Sequence, residues 1–348
     1  MPVKEGLKIL HVADMHNRHN GRLYYSTGKK LNNGFIKNNF NVLQISDRDF
    51  LQKNILNYKK KSFIIHLNNT IDNFKPNVIL FGHVDSLNEE DFYSLRNKYK
   101  EILFSQYFVD TLDPNFEKID QHKKRFFLKY QICDTNFITT DPNAIEFVDN
   151  TKTFYIPNVC DKSIDILENY KQEKLKFDIF FALSHGQHRG ILKSGYKDER
   201  FDFITGLDLT NIKDNIFGIK HNPIWGYEFF KALSNSKMGL NINRGSPIKY
   251  YSSDRISLLM ANGLLTFLQK GYSYEDFFEN KKDAVFFDDK EHLSELIKFY
   301  AYNFSERSKI SYNGKMKYFE LFENTCVSNY IVEKILDYKI TNKKKWMK

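Results

Sequence analysis

Two α/β domains in tandem, each a parallel sheet with helices on both faces and a Rossmann-like strand order, facing a central cleft: this is the architecture the sequence predicts. Three observations carry it. The 348 residues exceed one ordinary compact domain and suit two of roughly 150 to 180 residues. Short apolar runs alternate with amphipathic stretches at the spacing of strand–helix–strand units. The alternation then starts afresh after a charged connector, which puts the join near residue 165 and gives domains at 1–165 and 166–348.

The first series opens with Leu7 to Asp14 (LKILHVAD), an apolar run ending in polar residues, as a buried parallel strand feeding a loop does. A polar loop (15–22), a helix to about Asn38 and the run Phe40 to Ile45 complete one unit. The pattern recurs: a helix over Ile64 to Phe74, a strand over Asn77 to Gly82 after Pro76, a charged helix over Glu89 to Lys100, and strands at Glu101 to Ser105, Asn136 to Thr139 and Thr153 to Ile156, with a helix near Pro142 to Val148. After the helix-prone connector Lys162 to Lys176, the second series reads as strands at Phe177 to Leu183 and Arg200 to Thr205, a helix over Tyr227 to Ser236, a strand over Met238 to Ile242, a helix over Ile256 to Asn262, and a strand over Leu264 to Leu268. Residues 291–337 read as helices, the last able to cross back to the first domain.

Composition excludes several classes. No stretch of about 18 uncharged apolar residues occurs, and Met1 to Gly6 carry charges in place of a signal-peptide core, so the expected location is cytoplasmic. Cys133, Cys160 and Cys326 are widely spaced and odd in number, as small core residues are, without the pattern of a disulfide framework or zinc site. The formal charge of +9 accompanies abundant Lys, Asn, Ile, Phe and Tyr, with the lysines interleaved with Asp and Glu. No arginine-rich arm or RNA-recognition signature is present, so no nucleic-acid partner is expected. The one basic cluster is the tail, Lys343, Lys344, Lys345, Trp346 and Lys348: a solvated tail, or a peripheral contact with the inner membrane face that places Trp346 at the lipid interface.

Open parallel sheets bind ligands beyond the carboxyl ends of their strands, so the chemistry belongs to the loops that follow strands. The richest is Gly239 to Gly263 (GLNINRGSPIKYYSSDRISLLMANG). Asn243 ends a strand, Arg244 and Lys249 lie in the loop, and Ser252, Ser253 and Asp254 offer an N-cap for a helix beginning near Arg255. Helix N–H groups with Arg244, Lys249 and Arg255 suit a diphosphate, whereas a capped helix with solvated cations is the plain alternative. Gly263 before Leu264 and Leu265 fits a helix end turning into a strand. Ser184, His185, Gly186 and Arg189 (SHGQHR) follow another strand: the glycine permits close approach, and the His and Arg offer donors. His221, in Lys220 to Pro223, could border a base or phosphate pocket or form a polar turn. In the first half, the loop Asp14 to Arg22 faces the acceptor, with Asp14 and His16 able to take a hydroxyl proton and His83 and Asp85 as second choices. Asp254 joins Asp14 and His16 as a candidate catalytic group. Hydrolase, NTPase and dehydrogenase motifs are missing.

The chain resembles the CgeB-like, spore-protein-type glycosyltransferases and, more distantly, the large retaining GT-B transferases. The residues that carry this are Phe154 to Asp161 (FYIPNVCD), Asp178 to Phe181 (DIFF), Lys237 to Arg244 (KMGLNINR), then Ser253, Arg255, Ala261 and Gly263, followed by Ala284 to Asp289, Leu293 to Tyr300, Arg307, Ile310 and Gly314. The resemblance implies a GT-B fold and transfer from a nucleotide-sugar donor to a glycan or lipid-linked acceptor, without an obligatory metal or other cofactor. One departure stands out. The family has a Glu five residues before that Gly, on the donor ribose, and this sequence has Leu258; the other Glu of its pattern falls on Tyr250. Ribose contacts then come from Asp254 or Glu275, or the donor differs. Two rivals follow: transfer of a CMP-activated acidic sugar, with His221 on a single phosphate, or a non-catalytic sugar-binding protein of the same fold.

Overall fold

The computed structural model describes residues 6–17, 20–53, 59–183 and 197–347. They divide into two compact units, 1–161 with 323–348, and 162–322. The second unit therefore ends at Phe322, and residues 323–348, read from sequence as part of the second domain, pack with the first.

In the first unit the elements run β1 (Lys8–Val12), α1 (Thr27–Lys37), β2 (Asn41–Ile45), α2 (Asp47–Lys53), α3 (Lys59–Phe74), β3 (Val78–Phe81), α4 (Glu89–Lys98), β4 (Leu103–Phe108), α5 (Ile119–Tyr130), β5 (Thr135–Ile138) and β6 (Thr153–Tyr155). The strands form one parallel sheet in the order β2-β1-β3-β4-β5-β6. Strand runs such as VILF are buried on both faces because helices cover both sides, hence their unbroken apolar character. Leu10, Val12, Ile79, Phe81 and Phe104 meet Phe63, Leu67, Phe92 and Leu95 of the covering helices in a closed core.

In the second unit β7 (Phe177–Ala182), α6 (Arg200–Thr205), β8 (Asp214–Phe217), α7 (Gly226–Ser234), β9 (Ser236–Asn241), α8 (Arg255–Met260), β10 (Leu265–Gln269), β11 (Val285–Phe287), α9 (Lys290–Tyr302) and α10 (Phe304–Phe322) follow in turn. Its strands are again all parallel, ordered β11-β10-β9-β7-β8. Read from its own first strand this is 2-1-3-4-5, the order of the first unit's leading five strands. Each sheet thus reverses direction of growth once, between β1 and β3 in one unit and between β7 and β9 in the other. Gly263 ends α8 as expected: its φ of +75° is a left-handed conformation that glycine adopts without a Cβ clash, and Leu264 N–H returns to Leu259 O.

α11 (Asn324–Ile335) returns the chain to the first unit and packs on α1. The approach is close at Gly34, where a Cβ would stand 2.4 Å from the backbone oxygen of Asn324. Gly34→Ala is expected to destabilise the protein by about 2 kcal/mol, the clash outweighing the better helix propensity of Ala. Urea unfolding measures this, and an unchanged midpoint would refute it. The tail ends in the same core: Trp346 is 1% exposed, its ring 4.9 Å from that of Tyr330 and 6.3 Å from that of Tyr155. The membrane-facing placement of Trp346 is therefore corrected, because the indole gains more from this aromatic pocket than from an interface. Cys133 and Cys160 are buried and Cys326 is half-buried, all as free thiols.

Several local readings are also corrected. Arg200–Thr205 is a helix: its F-x-F alternation imitates a strand, but Asp198 accepts the Arg200 N–H and Thr205 Oγ1 returns to Phe201 O, closing helical turns. The strand expected there is β8, only four residues long. The segment 142–148 forms a single 3₁₀ turn over Pro142–Ala144, started by Asp141 accepting from Asn143 N–H. The connector 162–176 is helical only at Asn169–Lys171, since side chains anchor it first: Asn169 Nδ2 donates to Leu233 O and Ser236 O, and Asn262 Oδ1 accepts from Leu167 N–H.

Candidate active site

In open parallel sheets a ligand crevice forms beyond the carboxyl ends of the two strands at which the order reverses. In both units a charged cluster lies there, built by residues of the loops that follow the strands and of the helices that those loops lead into.

In the second unit the reversal lies between β7 and β9, and Arg255 binds the end of both. Its Nη1 donates to Ile242 O, just past β9, and to Ser253 Oγ, each at 3.0 Å; its Nη2 donates to Ala182 O, the last residue of β7, at 3.3 Å. The guanidinium lies 4.9 Å over the Phe181 ring. All three acceptors are neutral. Burial, and next the positive charge of Arg200, push its pKa down to about 10, which leaves it cationic at neutral pH. Beside it Arg200 Nε and Nη2 grip the two oxygens of Asp198 at 2.8 Å, and Arg244 Nη2 reaches Asp198 Oδ2 at 2.8 Å. Burial pushes the Asp198 carboxyl up, but the two guanidinium groups outweigh it and hold it far below the ordinary carboxylate range. Two arginines thus share one buried carboxylate, and Arg255 stands beside them on neutral acceptors, with Glu199 and Asp254 exposed at the rim. Positive charge at the end of a parallel sheet is suited to an anionic ligand.

In the first unit the reversal lies between β1 and β3, and an alternating chain of charges crosses it. Asp14, after β1, is buried; its Oδ1 accepts from His16 N–H at 2.9 Å and lies 3.4 Å from His16 Nδ1, while its Oδ2 accepts from Arg48 Nη1 at 2.9 Å. Arg48, after β2, also donates to Asp85, which follows β3. Arg125 of α5 lies 3.7 Å from Asp85, donates to Asp110 at 3.0 Å, and donates through Nη2 to His83 Nδ1 at 2.6 Å. That bond fixes His83 as the neutral tautomer with its proton on Nε2, 3.7 Å from Asp110. Burial, with Asp110 opposing and Arg125 reinforcing, pushes the His83 imidazole down to about 4.

The structure brings together some of the residues singled out from sequence and separates others. Asp14 and His16 share one loop, and the second choices His83 and Asp85 join them through arginines. Arg244 and Arg255 lie with Ser253 in the second cluster, and Lys249 stands over the Tyr250 ring at 4.9 Å. Asn243 is turned inward: its Nδ2 donates to Tyr251 O and the Tyr274 hydroxyl and its Oδ1 accepts from Ser253 N–H, so it shapes the loop. Asp254 precedes α8 in helical conformation and makes no side-chain cap, which corrects its reading as an N-cap; with φ −57° and ψ −14° it lacks the extended backbone that directs a cap oxygen at the next turn. His221 is exposed in the turn after β8, bridged to Phe217. Ser184, His185, Gly186 and Arg189 lie outside the described residues. Sequence reasoning passed over Asp198, Arg200, Arg48 and Arg125; the available signal was an acidic residue beside an arginine just after a strand or loop, in Asp47-Arg48 and Asp198-Glu199-Arg200.

Residues 200–331 match the model of a family described as Glycosyl transferase-like, a segment that begins at Arg200 and includes Arg244 and Arg255. No curated protein matches the sequence. Among solved structures, the chain is similar to HepE of Anabaena in complex with UDP (TM-score 0.56, 11% identity, covering 95% of this chain and 100% of that one). It is similar also to sucrose-phosphate synthase of Thermosynechococcus elongatus (TM-score 0.60, 12% identity, 95% and 98%). A third is an α-glucosyltransferase in complex with UDP-glucose and DNA containing an abasic site (TM-score 0.60, 11% identity, 94% and 99%). At these identities the likeness defines the fold, which is that of the GT-B glycosyltransferases. The matched segment and the fold together make the chain an enzyme of the glycosyltransferase class. No helix among the described residues is long and apolar enough to cross a membrane.

Proposed function

We propose that the chain transfers a glycosyl group from a nucleoside-diphosphate sugar to a hydroxyl of a glycan or lipid-linked acceptor, with arginines instead of a metal neutralising the departing diphosphate. The observation that carries this is Arg255, a half-buried arginine at the strand reversal of the second unit whose hydrogen-bond acceptors are all neutral. A diphosphate is the ligand whose charge such a group complements, and Arg244 and Arg200 stand beside it. Support for uridine as the base comes from relatives of the fold bound to UDP and UDP-glucose. In the step proposed, the bond between the anomeric carbon and the diphosphate oxygen breaks with its electron pair moving to the diphosphate, and the acceptor oxygen bonds that carbon. The acceptor proton passes to the Asp14–His16 pair of the first unit. Leu258 is buried in α8 and Tyr250 donates its hydroxyl to Asp276, so neither serves a ribose, and exposed Glu275 and Asp254 are the groups proposed for it.

A thermal-shift screen against UDP, GDP, ADP, dTDP, CMP and CDP tests this. UDP is expected to stabilise the chain by about 2.7 kcal/mol at a hundredfold excess over its Kd. Stabilisation by CMP alone would move the donor to a CMP-activated acidic sugar. No shift with any nucleotide would overturn the donor site and leave a sugar-binding protein without transfer.

A further inference from the structure

We infer that Arg48 is a positioning residue for the acceptor step: it fixes Asp14, and through Asp14 it holds His16 in the geometry that receives the proton. The inference rests on the role proposed for the first unit and adds to it the group that sets that unit's geometry.

Three consecutive side chains at the start of α2 hold the segments that follow two other strands, β1 and β3. Asp47 Oδ2 accepts from the N–H groups of Asp85 at 2.9 Å and Ser86 at 3.0 Å, fixing the loop after β3. Asp49 Oδ2 accepts from Asn17 N–H at 3.2 Å, fixing the loop after β1. Arg48 lies between them and bridges Asp14 to Asp85 with its two terminal nitrogens. The turn is itself pinned: Asp47 Oδ1 accepts from Arg48 N–H, and Ser46 Oγ accepts from Asp49 N–H.

What this turn holds is strained. His16 sits at φ 60°, a left-handed conformation that is unfavourable for a residue carrying a Cβ. Asp14 Oδ1 keeps it there by accepting the His16 N–H, and the same oxygen faces the imidazole. Asp14 is 4% exposed at its side chain and bonded through both oxygens, whereas His16 retains 18%, so the imidazole is the member of the pair with an edge toward solvent and acceptor. The guanidinium of Arg48 is the cation that pairs with this buried carboxylate and aims it. Among the described residues, the titratable and charged groups facing Asp14 include His16 from its own loop, Arg48 from α2 and Tyr107 from β4, with Asp85 and Asp49 behind Arg48 and the loop.

The test is the pH dependence of UDP release from UDP-glucose by the full chain, with UDP affinity measured alongside as the check on folding. In Arg48→Met, kcat/KM is expected to fall about 10- to 100-fold with UDP affinity unchanged, and its acid limb to move up by about 1 pH unit. Both members of the pair shift in that direction: Asp14 loses a neighbouring cation, and His16 faces a carboxylate no longer neutralised. Asp85→Asn removes a negative charge behind the pair, so its limb moves down. Arg48→Lys restores the limb but only part of the rate, since an ammonium cannot span both carboxylates. A merely structural role lowers rates without these opposite shifts. Arg48→Met with full UDP affinity and an unmoved limb overturns the inference, as does Asp85→Asn shifting upward if Arg48→Met fails to fold. A wild-type chain that binds UDP but releases none overturns the transferase reading on which it rests.

Discussion

Replacing Arg255 by Ala is expected to lower kcat for donor turnover by about 10²–10³-fold, the range seen when one preorganised donor to a developing anion is removed. The magnitude follows from placement. Most surface cations are hydrated and screened, but this guanidinium is already desolvated over Phe181 and needs no reorganisation when charge develops on a leaving diphosphate. Arg244→Ala is expected to do less, because Arg244 is held by Asp198, which neutralises part of its charge. Arg255→Ala also orphans the carbonyls of Ala182 and Ile242, at about 1–3 kcal/mol each if water does not reach them. Arg255→Lys separates the two effects: it keeps the charge and loses the three-acceptor geometry. Steady-state kinetics with UDP affinity decides the matter. A folded Arg255→Ala variant within about threefold of wild type would remove Arg255 from the chemistry.

Acid is expected to unfold the protein through histidine before the carboxylates take part. His11 of β1 is fully buried, its Nδ1 3.1 Å from Asn32 Oδ1 and its Nε2 3.1 Å from the Tyr107 hydroxyl. The Asn oxygen can only accept, so Nδ1 carries the proton and Tyr107 donates to Nε2. Burial, against the hydrogen bond that Nδ1–H donates to Asn32, pushes the imidazole down from 6.5 to about 4. The unfolded chain then binds a proton near pH 6.5 while the folded one resists until about 4, so stability falls as pH drops through that window. The difference amounts to about 3 kcal/mol by pH 4. His83, also lowered to about 4, acts in the same direction. Asp198 is held low by its arginines and contributes only at more acid pH. Urea unfolding at pH 7, 5.5 and 4, on wild type and on His11→Gln, measures the slope. The variant is expected to be weaker at pH 7 and flatter below; equal slopes would exclude His11 as the source.

Much of the fold was legible because buried parallel strands declare themselves. Leu7 to Val12, Asn77 to Phe81, Phe177 to Leu183 and Leu264 to Leu268 are apolar on both faces, and each became a strand. What escaped was short or locally ambiguous. β8 is four residues of which only the last two, Ile216 and Phe217, are apolar, α5 and α2 carry no clear periodic break, and Arg200–Thr205 alternates like a strand until Asp198 bends it. The candidate site was legible in part for a similar reason. Residues just after strands, such as Asp14 and Arg244, and at the start of the helix that follows, such as Arg255, can be named from position alone. Arg48 and Asp198 act by pairing with side chains 34 and 46 positions away, and nothing in a linear pattern specifies such partners.

The discontinuity of the first unit bears on how the chain is made. Residues 162–322 are consecutive, so every segment of the second unit precedes the last segment of the first. Until residues 323–347 emerge, the face of α1 around Gly34 and the pocket that receives Trp346 have no covering, and apolar surface on Tyr155 remains open to solvent or to chaperones. The first half of the protein, although synthesised first, is therefore the last to close, and a chain cut short before α11 keeps every segment of the second unit while the first lacks the cover of its α1 face.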